Sequence, residues 1–182
     1  MAIKMTLHEA LFNTPLWKVL DHLLQNPELE LRDTEISLIV RSAKKSAINV
    51  ALRRLADQGF IIRRLLGHQA FNKLNDSPLI THLKIISNIV AIKDLTDKLK
   101  PICSKIVLFG SRAEGTHTSG SDFDIFVVTE DGDKVNKLIR KTMLEEKIQL
   151  ISKNAEQMLT FDKDEPALRD EIKKGMVLWE KD

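Results

Sequence analysis

The sequence predicts an α+β fold in which two small domains are joined by a long helix. In the first part of the chain, three helical apolar patterns and two strand-like runs follow one another. A longer helical pattern runs from Pro78 to about Lys100, and the remaining chain alternates short apolar runs with helical segments. We therefore place the domains at residues 1–76 and 101–182, with a linking helix at 77–100.

Composition is that of an ordinary globular protein, with 43% hydrophobic and 30% charged residues. No apolar run approaches the roughly 20 residues that a membrane-spanning helix needs, and the first residues lack the pattern of a secretory signal. Cys103 is the single cysteine, which excludes an internal disulfide and a cysteine-rich zinc site. We expect a cytoplasmic protein without a membrane partner.

The order of elements in the first domain is informative. The predicted elements are a helix from Pro15, a second helix at 33–40, a third ending at Gly59, and strands at 60–66 and 70–74. Proline suits the first position of a helix and glycine often follows the last. Three helices followed by a β-hairpin predict a winged helix-turn-helix.

Positive charge is concentrated on this domain. Between residues 41 and 64, seven lysines and arginines face a single acid, Asp57. The third helix would be the recognition helix, whose first residues lie nearest the bases in the major groove. The sequence therefore predicts a partner, double-stranded DNA, contacted by Ser42, Lys44, Lys45, Ser46, Asn49, Arg53, Arg63 and Arg64. The alternatives are a solvated basic face and a protein–protein module.

The linking helix has a wider apolar face than packing on one domain requires. This pattern fits a helix that packs on both domains, and it also fits a helix that pairs with its twin in a homodimer. The sequence leaves both open.

The candidate catalytic residues lie between Lys105 and Phe126. An apolar strand ends at Gly110, and a second strand carries Asp122 and Asp124 after a loop of small residues. Residues two apart on a strand project to one face, and paired carboxylates can hold a hard cation such as Mg²⁺. A glycine turn lets a phosphate approach the backbone, so the pattern predicts phosphate and metal chemistry.

Gly110-Ser111, followed after ten residues by Asp122-Phe123-Asp124-Ile125, resembles the signature of the DNA polymerase β-like nucleotidyltransferase superfamily. Its compact minimal nucleotidyltransferase domains are the most similar, over roughly residues 102–180. Residues 71–79 also resemble the wing exit of prokaryotic proteins that fuse a winged helix to such a domain. The resemblance implies a mixed β-sheet flanked by helices, with Asp122 and Asp124 as catalytic Mg²⁺ ligands.

The resemblance also implies that Gly110, Ser111 and Arg112 bind a nucleoside triphosphate. For Arg112, a contact with the triphosphate and an ion pair with Glu114 or another carboxylate are equally good interpretations. Ser111 offers a hydroxyl donor to the phosphates.

One position departs from the superfamily, which carries a third carboxylate on a later strand. Here the corresponding strand is 147–151, and Gln149 stands at the expected place. A neutral amide offers an oxygen but no charge. Glu145 or Glu146 would replace the acid only in another strand register.

Two functions follow. The first is an enzyme that transfers a nucleotidyl group, which the intact Gly-Ser and Asp-x-Asp motifs favour. The second is a catalytically inactive transcription regulator that binds DNA as a dimer and uses the nucleotidyltransferase fold as a sensor or scaffold, which Gln149 favours.

Overall fold

The computed structural model describes residues 13–144 and 147–181. The chain forms two compact units that divide between Val90 and Ala91, inside the long helix. Together the described residues form eight helices and seven strands in two sheets. The predicted α+β fold is confirmed. Within those residues, no helix combines the length and apolarity needed to cross a membrane.

The first unit contains three helices and a three-stranded antiparallel sheet. Its elements are α1 (Pro15–Gln25), β1 (Glu30–Arg32), α2 (Asp33–Ile39), α3 (Lys45–Asp57), β2 (Ile61–Leu66) and β3 (Gln69–Leu74). The strand order is β1-β3-β2. The backbone amide of Trp17 donates to Thr14 Oγ1 at 3.2 Å, so α1 begins with the capping residue that its sequence indicates.

The inward stripes of these helices form the core of the first unit. Its completely buried side chains are Val19, Leu23, Leu24, Ile36, Ile48 and Leu52. Because the spacing of these residues follows the helical period, the apolar pattern alone specifies which face turns inward.

Helix α4 (Pro78–Leu99) contributes side chains to the cores of both units. Ile80 belongs to the core of the first unit, whereas Leu95 and Leu99 belong to a core of the second. The helix therefore needs apolar residues over more than one face, which explains the wide apolar pattern in the sequence.

The second unit is a four-stranded mixed sheet with helices on both faces. Its further elements are β4 (Lys105–Phe109), α5 (Gly110–Glu114), β5 (Phe123–Val128), α6 (Gly132–Ile139), β6 (Ile148–Lys153), α7 (Ala155–Asp164), α8 (Pro166–Lys174) and β7 (Met176–Glu180). The strand order is β6-β5-β4-β7. Strands β5 and β6 are parallel, and the other pairs are antiparallel.

Alternate residues of the central strands face opposite sides of this sheet. Ile125 and Val127 pack on one side with α4 and α6. On the other side, Phe126 packs with Phe161 of α7 and Ile172 of α8, and the two phenyl rings stack with centroids 5.7 Å apart. Asp124 lies two residues before Phe126 and thus shares the side covered by α7 and α8.

One helix is shorter than the sequence predicts. The sequence predicts a helix from Lys134 to about Leu144, whereas α6 spans Gly132–Ile139. The Thr142 hydroxyl donates to the Ile139 carbonyl at 2.7 Å and ends the helical pattern there. The following strand spans Ile148–Lys153, so it extends two residues beyond the predicted Ile151.

Candidate functional site

The two halves of the Gly-Ser and Asp-x-Asp motif meet where β4 ends and β5 begins. Phe109, the last residue of β4, pairs with Asp124 of β5. Gly110 follows with φ of +68°, a left-handed conformation that favours glycine. A Cβ atom on Gly110 would lie 2.4 Å from Asp124 Oδ2. Only a residue without a side chain lets the turn lie directly against this carboxylate.

The two aspartates differ in environment. Asp122 is exposed just before β5, whereas Asp124 is half-buried inside it. Burial raises the pKa of Asp124, and the charges of Asp122 and Glu171 raise it further against the opposing charge of Arg112. The negative charges of Asp122, Asp124 and Glu171 thus act together at this site, and the positive charge of Arg112 opposes them.

Arg112 is a structural part of this site. Its side chain is only 1% exposed, and its Nε and Nη2 donate to the Ser121 carbonyl at 3.0 and 2.8 Å. The guanidinium also lies over the Phe123 ring, 4.0 Å from its centroid. Burial lowers the pKa of Arg112, and the charges of Asp122 and Asp124 oppose this shift. Arg112 thereby contacts the residues on both sides of Asp122, the backbone carbonyl of Ser121 and the side chain of Phe123.

The loop between the motifs is also ordered by hydrogen bonds. Gly115 ends α5 in the left-handed conformation, with φ of +73°. The amide of Thr118 donates to Ser121 Oγ at 3.0 Å, and the amide of Ser121 donates to the Thr118 carbonyl at 3.1 Å. These two hydrogen bonds between Thr118 and Ser121 close a turn immediately before Asp122.

Gln149 lies beside Asp124 in the sheet. In the parallel pair of β5 and β6, Asp124 and Gln149 are register partners, so their side chains share one face. The structure therefore places an amide next to this aspartate. Glu145 and Glu146 lie outside the described residues. Among the residues described, no three carboxylate, imidazole or thiol groups are arranged to hold one metal ion.

Sequence reasoning missed Glu171 of α8, whose charge acts on Asp124. No motif marks this residue, because it lies 47 positions from Asp124 in the chain. The available signal was periodicity: Glu171 stands three residues after Leu168 and next to Ile172, which both pack on the sheet.

The candidate DNA-binding residues divide into two groups. Five of them are exposed just before α3, at its start or along it, namely Ser42, Lys44, Lys45, Ser46 and Arg53. Asn49 is half-buried, and its Oδ1 is enclosed without a hydrogen-bond partner among the described residues. Lys44 provides the N-cap of α3 without a capping side-chain hydrogen bond.

Arg63 and Arg64 form ion pairs within the first unit. Arg63 donates to both carboxylate oxygens of Asp33, at 2.7 and 2.6 Å, and to Asn72 Oδ1 at 2.6 Å. Arg64 donates to Glu30 Oε1 at 2.7 Å. Burial of Asp33 opposes its ionisation, but hydrogen bonds from Arg63 and Asn72 outweigh it and lower its pKa. Part of the positive charge between residues 41 and 64 is thus balanced by acids that lie about 30 residues earlier in the sequence.

The sequence of the second unit is similar to that of a known family of domains. Residues 89–178 match the family model described as Nucleotidyltransferase domain, so this part of the chain is a nucleotidyltransferase-family domain. A solved structure, that of a candidate nucleotidyltransferase from Sulfolobus solfataricus, is 18% identical with a TM-score of 0.35. That match covers 55% of this chain and 86% of the other. Among curated proteins, no match is found.

Proposed function

We propose that the second unit binds a nucleoside triphosphate with Mg²⁺ and transfers its nucleotidyl group to an acceptor hydroxyl. The close approach of Gly110 to the Asp124 carboxylate supports this proposal most directly, because the turn that we propose for the phosphates lies against the carboxylate that we propose for the metal. The family match covers both motifs.

The donor set fits one hard cation. Mg²⁺ is usually bound by one or two carboxylates together with substrate phosphates and water, and Asp122 and Asp124 supply two carboxylates. Burial and the charges of Asp122 and Glu171 raise the pKa of Asp124, and a bound cation would favour its ionised form. Mg²⁺ bound there would neutralise charge on the phosphates during transfer.

In this proposal, Gly110, Ser111 and Arg112 have different roles. Gly110 lets the β- and γ-phosphates approach the backbone, and the Ser111 hydroxyl donates to them. Arg112 positions Asp122 and does not touch the nucleotide, because its guanidinium is buried and donates to the backbone carbonyl of Ser121. The acceptor hydroxyl attacks the α-phosphorus in line with the leaving pyrophosphate, and catalysis comes from positioning.

A second candidate function rests on Gln149. An amide stands beside Asp124, at the place where the resemblance implies a third acid. The unit would then bind the nucleotide without transferring it. The chain would then be a transcription regulator whose winged helix-turn-helix binds DNA and whose second unit senses the nucleotide. Leu79 and Ile86 are exposed apolar residues seven positions apart on α4, which favours a homodimer that pairs this helix.

The test is Mg²⁺-dependent binding and turnover of the four nucleoside triphosphates, measured by calorimetry and by pyrophosphate release. We expect the wild type to bind, and Asp122→Asn/Asp124→Asn to lose at least tenfold in affinity because both metal ligands are neutralised. Asp162→Asn/Asp164→Asn is the matched control, since it neutralises two exposed aspartates of the same spacing on α7.

The Gln149→Asp variant separates the two functions. Pyrophosphate release by the wild type supports the enzyme, whereas release only after Gln149→Asp supports the regulator. Binding that is equal in the wild type and the Asp122→Asn/Asp124→Asn variant would contradict both.

A further inference from the structure

Gln149 lies in one row with the aspartate and the glycine turn of the candidate site. Across the sheet, Phe109 of β4 pairs with Asp124 of β5, and Asp124 pairs with Gln149 of β6. Gly110 directly follows Phe109, and a Cβ atom on Gly110 would lie 2.4 Å from Asp124 Oδ2. Because neighbouring strands are about 4.8 Å apart, Gln149 stands next to Asp124 on the side opposite to the glycine turn.

The side chains of this row project to one face of the sheet. The register pair two residues further along β5 and β6 is Phe126 and Ile151, and both pack in the core cluster that also contains Phe109. The intervening pair, Ile125 and Leu150, packs in the core on the opposite side. Because side chains alternate along a strand, the aspartate and the amide both project to the side covered by α7 and α8.

The side-chain amide of Gln149 is available to a ligand. Gln149 is exposed, and its amide forms no hydrogen bond with the other described residues. An amide carries two N–H donors and one carbonyl acceptor without a charge. Its N–H groups can therefore donate to the oxygens of a phosphate, whereas a carboxylate at this position would repel them.

The order of the row indicates which part of a nucleotide reaches Gln149. In the proposed function, the β- and γ-phosphates lie at Gly110, on one side of Asp124. The α-phosphorus, where the reaction occurs, lies at the cation and hence over Asp124, since the cation neutralises charge on the reacting phosphate. Gln149 is the next residue of the row beyond this position.

We infer that the side-chain amide of Gln149 donates a hydrogen bond to an oxygen of the α-phosphate. Gln149 is thus a nucleotide-binding residue, which holds the α-phosphate from β6 while the turn at Gly110 holds the other two phosphates from β4. The inference rests on the proposed function, because it assigns a contact to the same nucleotide. It applies whether or not the bound nucleotide is then transferred.

The experiment measures affinities by calorimetry with Mg²⁺ for two kinds of ligand. One is each α,β-methylene nucleoside triphosphate, which keeps the α-phosphate oxygens and cannot undergo transfer. The other is inorganic pyrophosphate, which fills only the turn at Gly110. We expect Gln149→Met to weaken binding of the methylene analogue about tenfold, because a hydrogen bond to a charged group is lost, and to leave the pyrophosphate affinity unchanged. Gln149→Glu should weaken binding of the analogue further, because its carboxylate repels the phosphate.

Matched controls separate this contact from a general effect of the substitutions. Gln69→Met and Gln69→Glu make the same changes at an exposed strand glutamine of the first unit, and we expect neither affinity to change. The melting temperature of the ligand-free Gln149 variants should equal that of the wild type, because the side chain is exposed.

The outcomes separate the inference from the function beneath it. If the wild type binds a methylene analogue and Gln149→Met binds it equally well, the contact with the α-phosphate is refuted and the proposed function stands. The same conclusion follows if Gln149→Met loses pyrophosphate affinity by the same factor, or if Gln69→Met loses as much affinity for the analogue. If the wild type binds none of the analogues, the proposed function fails and the inference fails with it.

Discussion

At the scale of single residues, Arg112 shows why a motif position need not contact the ligand. The sequence left a triphosphate contact and an ion pair as equal interpretations. The structure shows a buried guanidinium that donates to the Ser121 carbonyl and lies over Phe123. A buried charge is costly unless it is paired, and here the nearby aspartates compensate for it. This favours a role in placing the aspartates.

We expect Arg112→Met to keep the fold but to lower its stability by about 2 kcal/mol, because hydrogen bonds from a charged donor are lost. Affinity for the Mg²⁺ nucleotide should fall about tenfold as the Asp122 loop loses its support. Thermal unfolding and calorimetry measure the two effects. Arg140→Met makes the same change at an exposed arginine. Unchanged nucleotide affinity in Arg112→Met would contradict the positioning role.

The aspartates could be found from the sequence because strand alternation is a local property, and it predicted that Asp122 and Asp124 project to one face. Gln149 was found through the resemblance, as the residue at the expected place of a third acid. The charge of Glu171 and the burial of Arg112 could not be found in this way. They depend on how α8 and the loop before β5 pack on the sheet. The spacing of residues within one short segment does not predict such packing.

At the scale of elements, the β-hairpin of the first unit differs most from its sequence-based interpretation. Arg63 and Arg64 counted toward a basic surface, but Asp33 and Glu30 of neighbouring elements pair with them. A count of charges within one stretch of sequence omits acids from other stretches that the fold places next to the arginines. The start of α3 keeps its exposed lysines, and it is the stronger candidate for contact with phosphates.

The proposal of DNA binding therefore makes a prediction about α3. Lys44→Ala/Lys45→Ala should weaken DNA binding and reduce the slope of log affinity against log salt by about two, because each phosphate contact contributes about 0.9. Fluorescence anisotropy with duplex DNA at several salt concentrations measures both. Lys137→Ala/Lys141→Ala removes the same charge from the second unit. If both pairs lower the slope equally, general attraction explains the binding and the α3 surface does not.

At the scale of the whole molecule, α4 joins two units that the sequence could delimit only approximately. Pro78 and Pro101 mark where the helix begins and where it cannot continue. The units divide at Val90 and Ala91 within it, a position without any break in composition. A helix that contributes to two cores has no sequence signal at the border, since apolar periodicity continues through it.

The central claim is that nucleotide and cation meet where Gly110 lies against Asp124. The most direct measurement is the broadening of backbone amide signals by Mn²⁺ with an α,β-methylene nucleoside triphosphate. We expect the strongest broadening at Gly110, Ser111 and Phe123, and little at Ser104 and Thr129, because six residues of extended strand separate the two ends of the sheet by about 20 Å. Broadening centred on Ser104 and Thr129, or broadening that nucleotide does not enhance, would contradict the claim.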